Sequence, residues 1–251
     1  MKTLIVGKNS YLSRNFDIDQ STKISHHEVD DFKFDDYEKL ILISFPPDYK
    51  FKKEKDFLFE KRLFNKFSNK KIVYFSTQKV YPYKLNCDEN ENLSPDSYYG
   101  ENKLFIEKLI FETTKKYQIF RISSVFSSND FAKDSFFYQL KKNWNLDKMI
   151  NFDISLESIK DFTTRDYLYL ILKKMINTEN FGIFNIGSSN GISINELLRI
   201  IFNNNVPKNI KDKNNLIKSR TLNNKKICQL LNLKSDKIHE DTIKQISNFE
   251  L

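Results

Sequence analysis

Glycine is scarce in this chain. Only five occur in 251 residues, at positions 7, 100, 182, 187 and 191, so each is expected where the backbone needs it. Cysteine is scarcer still. Cys87 and Cys228 stand far apart, which excludes a disulfide framework and a cysteine-rich zinc site and suits a reducing, cytoplasmic setting. No apolar run approaches the roughly 18 residues of a membrane span, and Met1-Lys2 runs straight into strand-like "TLIV" with nothing resembling a signal peptide. Three histidines and the carboxylates show no metal-ligand spacing; the pair His26-His27 reads as solvent-facing or packed rather than ligating.

What is present describes a folded protein, with 39% hydrophobic and 14% aromatic residues. The length suits one large domain or two interleaved lobes. A formal net charge of +8 raises the question of nucleic acid. The lysines are scattered rather than striped, and Lys, Asn, Ile and Phe are abundant together, as AT-rich coding produces. No nucleic-acid partner is expected. A mild positive field also suits a small substrate carrying a diphosphate.

Along the chain, "TLIV", "KISHHEV", "EKLILISF", "KKIVYFST" and "QIFRISSVF" read as strands. "SYLSRNF", "FKKEKDFLFEKRLFNKF" and "YGENKLFIEKLIFETTKKY" read as helices between them, the second with Phe57, Leu58, Leu63, Phe64 and Phe67 near helical spacing. Such alternation implies βαβ units and a parallel sheet. Ligands then sit beyond the carboxyl ends of the strands, where Gly7, Ser44, Thr77 and Ser123 fall. Beyond about residue 127 the pattern loosens into a smaller α/β lobe. The stretch "LIVGKNSYLSRNF" occupies the place of a dinucleotide loop of the form G-x-x-G-x-x-G, yet its three positions read Gly7, Ser10 and Ser13.

Four tyrosines have a lysine four residues on: Tyr49, Tyr99, Tyr138 and Tyr169. Only Tyr99 opens a strongly amphipathic helix just after a strand ending in hydroxyl residues, and there Tyr99 and Lys103 share a face. "VYFSTQKVYP" followed by "SPDSYYGENKLFIEKL" resembles the extended short-chain dehydrogenase/reductases, the family that modifies nucleotide sugars. Thr77, Val80, Tyr81, Tyr99, Gly100, Lys103 and Glu107 fall on its pattern in order. "SIKDFTTRDYLYLI", "GIFNIGSSNGISINELL" and "SRTLNNKKICQLLNL" resemble later segments of the same family, so the likeness covers most of the chain.

The resemblance implies an α/β fold: a Rossmann-type doubly wound parallel sheet with a smaller C-terminal substrate-binding lobe. The dinucleotide-binding domain is placed at 1–126 and the lobe at 127–251, interleaved. It implies Thr77, Tyr99 and Lys103 as catalytic residues with NADP or NAD as cofactor. A free phenol ionises near pH 10 (about), and a neighbouring ammonium with a positive nicotinamide ring is expected to lower that value. Lys103 would also hold the nicotinamide ribose.

The loop reads as adapted rather than lost. Gly7 keeps the tight turn, Ser10 and Ser13 are small, and a helix N-terminus would offer free N–H groups to an anion. Cofactor contacts are assigned to Gly7, Ser10, Tyr11, Ser13, Asp31, Ser44 and Lys103, and substrate contacts to Thr77, Gln78, Ser124 and Arg220. Asp30 or Asp31 contacts the adenine or ribose, or else lies in a solvated turn. Lys8 and Arg14 meet a 2′-phosphate or are surface charges. Arg220 falls where the family grips the diphosphate, with plain surface charge as the other reading. Trp144 and Phe136-Phe137 read as packing residues.

Departures from the family pattern are informative. There is little room for a second helix before "EKLILISF", an abbreviated edge similar to that of the dTDP-4-dehydrorhamnose reductase type. The usual arginine of the family's Arg-Asp-Phe segment is Lys160, and the asparagine that follows the fifth-strand arginine is replaced around Ser123-Ser124. Sugar 4,6-dehydratases of the family carry Asp-Glu after the active-site threonine. Here those positions are Gln78 and Lys79, which cannot do that carboxylate work. Two reactions remain: reduction of a keto-sugar in surface-polysaccharide precursor synthesis, or epimerisation with retained NAD. A non-catalytic member that binds nucleotide sugar is the alternative from another class. A homodimer through the helices at 51–67 and 99–115 is expected by analogy.

Overall fold

The structure is a computed structural model. It describes the chain apart from Met1, Asn15, Ser44, Phe45, Asn129 and Asp134, and gives only the backbone of Asp147. The expected cofactor contact Ser44 therefore lies outside the described residues.

In chain order the elements begin β1 (Lys2–Val6), β2 (Ser21–Ile24), β3 (Tyr37–Leu42), α1 (Leu58–Lys66), β4 (Lys71–Thr77), α2 (Tyr98–Thr113) and β5 (Tyr117–Ile122). There follow β6 (Ser124–Phe126), α3 (Phe136–Asp147), β7 (Ile150–Phe152), β8 (Ile159–Lys160), β9 (Phe162–Thr164) and α4 (Arg165–Met175). The last are β10 (Gly182–Ile186), β11 (Ile192–Ser193), α5 (Ile194–Ile201), β12 (Ile210–Asp212), α6 (Lys225–Leu231) and α7 (Ser235–Ser247). Two compact units result. The first takes Met1–Pro82, Asn92–Arg121 and Tyr169–Phe184, the second Tyr83–Glu91, Ile122–Leu168 and Asn185–Leu251.

The first unit is built on a six-stranded sheet in the order β10-β5-β4-β3-β1-β2. β1 runs parallel to both β2 and β3, and β3 parallel to β4. Strand order reverses at β1, which places the ligand-binding end of such a sheet beside Gly7. The apolar run of β4 is buried along its whole length, as a strand covered on both faces must be. Leu63, Phe64 and Phe67 turn fully inward, each contributing about 1.5–3 kcal/mol of burial. The helix around them is shorter than the periodicity of 51–67 suggests. It starts only after Phe57, which takes a left-handed conformation at φ 47°, and Leu58 is exposed.

Two sequence expectations near β1 are corrected. The described start of "SYLSRNF", Ser10–Arg14, forms a bend and turns, not a helix. Its carbonyls are claimed from outside: the Tyr169 hydroxyl donates to Leu12 O at 2.8 Å and Lys23 Nζ to Ser13 O at 3.0 Å. The Ser13 hydroxyl meanwhile donates to the Gly7 and Lys8 carbonyls. The histidine pair likewise lies in a 3-10 turn, His26–Glu28, beyond the end of β2. There the Glu28 carboxylate accepts the Ser25 N–H at 2.7 Å.

The second unit contains three two-stranded ladders, β6 with β9, β7 with β12 and β8 with β11. They pack around a phenylalanine-rich core that includes Phe126, Phe137, Phe162 and Phe249, with Trp144 against Phe202 at its margin. Asp161, between β8 and β9, ties this unit's loops together. Its buried carboxylate accepts the Ser188 N–H at 2.8 Å, the Ser188 hydroxyl at 2.9 Å and the Leu222 N–H at 2.9 Å. A Cβ at Gly187 would collide with that carboxylate, which accounts for the glycine of "NIGSS".

Burial outweighs these donors and pushes the Asp161 carboxyl up from 3.8 to about 6. A raised folded-state value means that the native state binds the extra proton between those two values. Asp161 therefore makes stability fall as the pH rises from about 4 to about 6, with no further loss above. Urea denaturation across that range is expected to show this slope in the parent protein and to lose it in Asp161→Asn. That variant is also expected to be about 1–3 kcal/mol less stable at the acid end, because its amide cannot accept from all three donors.

Candidate active site

β4 carries its apolar residues through the core and ends in Ser76 and Thr77, both buried. The chain then makes a 3-10 turn over Gln78–Val80, in which Thr77 Oγ1 accepts the Lys79 N–H at 3.3 Å. α2 begins against this turn, with the Ser97 hydroxyl oxygen accepting the Gly100 N–H as its N-cap. Gly100 is required by space. A Cβ there would run into the Lys79 carbonyl and come within 2.9 Å of Pro95 Cβ. This close approach brings Tyr99 to Thr77, and the two hydroxyls are hydrogen-bonded.

One turn along, Lys103 is buried. Its Nζ donates to the Phe75 carbonyl at 2.7 Å and lies 4.7 Å from the Tyr74 ring centre and 5.9 Å from that of Tyr99. Thr77, Tyr99 and Lys103 are thus gathered within the first unit at the carboxyl end of β4. Burial sets the proton affinities. It pushes the Tyr99 phenol up to about 12, with the Thr77 hydrogen bond acting against the rise. It pushes the Lys103 ammonium down to about 7, against the attraction of Glu60 and Glu107. The expectation that Lys103 acidifies Tyr99 is corrected for the protein by itself: the phenol keeps its proton at neutral pH.

Two residues behind this group had no assigned role in the sequence reading. Arg121, from β5, reaches Glu107 of α2 through Nη2 at 2.7 Å and Nε at 3.2 and 3.3 Å, and both side chains are buried. Arg121 Nη1 donates to the Tyr81 hydroxyl at 2.9 Å, and the Ser76 hydroxyl donates to Glu107. The network clamps the ends of β4 and its 3-10 turn to α2 and β5. Its signal in sequence is a glutamate two helical turns after Tyr99 and an arginine inside an apolar strand.

Of the expected cofactor contacts, Gly7 follows β1 at φ 123°, a conformation that glycine adopts readily and other residues do not. Its N–H and that of Lys8 donate to Ile24 O. The Ser10 side chain accepts the Ser13 N–H at 3.1 Å, and Tyr11 is half-buried. Ser13 is fully buried with its hydroxyl turned onto backbone carbonyls, so it holds the loop instead of facing a ligand. Among the described residues the Asn9 and Leu12 amides have no hydrogen-bond partner; such unused N–H groups in a tight loop suit an anion. Asp31 sits exposed in the turn after the histidine pair, and neighbouring Asp30 is paired with Arg62 at 2.9 Å.

Gln78 is half-buried in the 3-10 turn of the first unit. Ser124 and Arg220 belong to the second. Ser124 is exposed on β6. Arg220 is buried rather than a surface charge, its guanidinium 4.4 Å from the Tyr83 ring centre. Among the described residues no group of His, Cys, Asp and Glu side chains is arranged to hold a metal ion, and no helix is long and apolar enough to cross a membrane.

A parallel sheet with its strand order reversing at a glycine turn, and a Thr-Tyr-Lys group at the carboxyl end of a neighbouring strand, define a Rossmann-like α/β protein. Residues 65–228 match the RmlD substrate binding domain. The chain belongs to that family, within the extended short-chain dehydrogenase/reductases. No curated protein sequence matches it. Among solved structures it is similar to MoeE5 in complex with UDP-glucuronic acid and NAD (TM-score 0.77, 14% identity, covering 99% of this chain and 97% of that one). It is also similar to a dTDP-4-dehydrorhamnose reductase from Clostridium acetobutylicum (0.75, 17%, 98% of each). A third is UDP-glucuronic acid 4-epimerase from Bacillus cereus in complex with NAD (0.75, 17%, 98% and 100%). At such identities the likeness establishes the fold.

Two outcomes follow from the geometry. In a tyrosinate absorbance titration, the difference between the parent protein and Tyr99→Phe is expected to show no ionisation below about pH 10; a midpoint near neutrality contradicts the burial of the phenol. Arg121→Met strands Glu107 as an unpaired buried charge, and chemical denaturation is expected to show a loss of about 3–5 kcal/mol.

Proposed function

We propose that this chain is an NAD(P)-dependent oxidoreductase acting on a nucleotide-activated sugar, and that it reduces a keto-sugar. The observation that carries the reading is the hydrogen-bonded Thr77–Tyr99 pair with Lys103 one turn away, on a chain of the RmlD substrate binding domain family. A place in surface-polysaccharide precursor synthesis is proposed from the sequence resemblance.

The residues present fit the cofactor. Gly7 at positive φ and the unused Asn9 and Leu12 amides suit a pyrophosphate, Ser10 and Tyr11 flank them, and Asp31 is assigned to the adenosine end. A bound nicotinamide supplies the hydride. Tyr99, protonated at neutral pH, donates its proton to the carbonyl oxygen of the sugar, and the Thr77 hydroxyl hydrogen-bonds that oxygen and orients it. The phenolate left on Tyr99 would be stabilised by the Lys103 charge, and Lys103 would also hold the nicotinamide ribose. Gln78 and Ser124 are assigned to the sugar and Arg220 to the diphosphate, a role that its guanidinium suits.

Gln78 and Lys79 in the place of two carboxylates disfavour dehydration. Epimerisation with retained NAD uses the same three catalytic residues and is separated by stoichiometry: a reductase consumes one NAD(P)H per sugar, an epimerase none. A homodimer through α1 and α2 is also proposed, since Leu58 and Phe105 expose apolar surface on these helices.

The test begins with NADPH and NADH binding followed by fluorescence; failure of both to bind at millimolar concentration sinks the enzyme reading. With 4-keto derivatives of dTDP- and UDP-sugars, Tyr99→Phe is expected to lower turnover by roughly 10²–10⁴-fold while leaving cofactor affinity nearly unchanged. A Tyr99→Phe variant with normal turnover would remove Tyr99 from the chemistry.

A further inference from the structure

We propose that Tyr74 of β4 is a positioning residue for the amine of the active site: the face of its ring carries the Lys103 ammonium, with Nζ 4.7 Å from the ring centre. The inference rests on the catalytic reading of Lys103 given above, and it adds a residue from a strand otherwise seen as core.

Strand and helix geometry bring the two together. Side chains of a strand alternate between its faces, so Tyr74 and Ser76 project from one face of β4. That face meets α2, where Lys103 and Glu107 lie one turn apart. Ser76 donates to Glu107, and Tyr74 lies under Lys103. Packing holds the ring in place. Tyr74 is fully buried and belongs to the apolar cluster that includes Leu63 and Phe64 of α1 and Ile106 and Ile110 of α2.

The polar atom of Tyr74 does not account for its presence. Its buried hydroxyl has no hydrogen-bond partner among the described residues, a costly arrangement. The ring does account for it. An aromatic face presents negative charge density to a cation, and the attraction grows where water is excluded, as it is around these two buried side chains. The Phe75 carbonyl accepts from Nζ at 2.7 Å, and Tyr99 offers a second ring at 5.9 Å. Burial holds the Tyr74 phenol well above its usual range, so this neighbour stays neutral while the amine titrates.

Other titratable groups meet the amine from each neighbouring element. Glu107 of α2 is engaged by Arg121 of β5. Glu60 of α1 accepts from the Tyr49 hydroxyl at 3.1 Å, and burial pushes its carboxyl up, toward the uncharged form. Tyr99 keeps its proton at neutral pH, and Lys79, in the 3-10 turn, lies 5.6 Å from the Tyr99 ring centre. Burial pushes the Lys103 ammonium down to about 7. Near neutrality a modest attraction therefore decides how much of the amine is charged.

The experiment follows the Lys103 Cε and Hε resonances with pH in the full chain labelled with ¹³C-lysine, assigned by their disappearance in Lys103→Met. Cofactor is absent, so the outcome stands apart from any failure of NAD(P)H binding. Tyr74→Leu removes the ring, and its Lys103 midpoint is expected to fall by about one pH unit, a tenfold loss of ammonium above the midpoint. Tyr74→Phe keeps the ring and is expected to keep the midpoint. An unchanged midpoint in Tyr74→Leu overturns the proposal. So does an equal fall in Tyr74→Phe, which would give the effect to the hydroxyl. Should Tyr74→Leu fail to fold, the parent protein decides. Protons above an aromatic face are shifted upfield by its ring current, so Lys103 Hε is expected upfield of the other lysines; a resonance at the ordinary lysine position overturns the proposal. In turnover, the alkaline limb of the kcat pH profile is expected to move down in Tyr74→Leu and to stay in place in Tyr74→Phe. A loss of kcat in Tyr74→Leu that is uniform across pH assigns Tyr74 to packing alone and overturns it too.

Discussion

The site depends on how closely a helix start approaches a carbonyl group. Where Gly100 stands, any side chain would enter the Lys79 carbonyl, so α2 rests directly on the turn that follows β4. From that seating come the Thr77–Tyr99 hydrogen bond and the register that sends Lys103 one turn deeper. Space, not backbone freedom, fixes this glycine, since it lies inside a regular helix, where glycine costs about 1 kcal/mol relative to alanine. The "YG" of the sequence is the trace of that contact.

Seating a helix so tightly also drags its charged face into the core. Lys103 and Glu107 lie on the side of α2 that meets β4, and neither reaches water. The fold answers Glu107 with Arg121 from β5, through direct hydrogen bonds. A bidentate pair locks both charges and gives rigidity. Lys103 instead donates to the Phe75 carbonyl, and burial pushes its ammonium down to about 7. The rigid pair holds β4, α2 and β5 together around it.

Much of this was legible in the sequence, and what was not has a common cause. β3, β4 and α2 are strongly patterned, and the spacing of Thr77, Tyr99 and Lys103 survives because it lies within a strand end and one helix. "SYLSRNF" has the polarity pattern of a short helix, whereas its Leu12 and Ser13 carbonyls accept from Tyr169 and Lys23, which sequence distance hides. Glu60 sits among charged residues in "FEKR", yet it is buried and accepts from the Tyr49 hydroxyl, a contact that sequence distance hides. Arg220, assigned to a diphosphate with plain surface charge as the other reading, proves buried, with Tyr83 from a distant stretch under its guanidinium.

The same reasoning resolves the glycine-poor loop. In a glycine-rich loop the third glycine permits close packing, and a following helix presents amides to the pyrophosphate. Here, among the described residues, no helix follows, and a serine replaces that glycine. The Ser13 hydroxyl folds back onto the Gly7 and Lys8 carbonyls, so the loop is pinned by a side chain instead of being continued as helix. Among the described residues, pinning leaves the Asn9 and Leu12 amides without a partner, a pair of donors without a macrodipole behind it. Such a loop offers an anion a few oriented N–H groups alone. On the proposed reading, its grip on a dinucleotide would lean more heavily on the end assigned to Lys103 than it does where a helix terminus carries the phosphates. That division suits a catalyst that must release its cofactor after every turnover better than one that retains it, and it is the physical ground on which reduction is proposed over epimerisation.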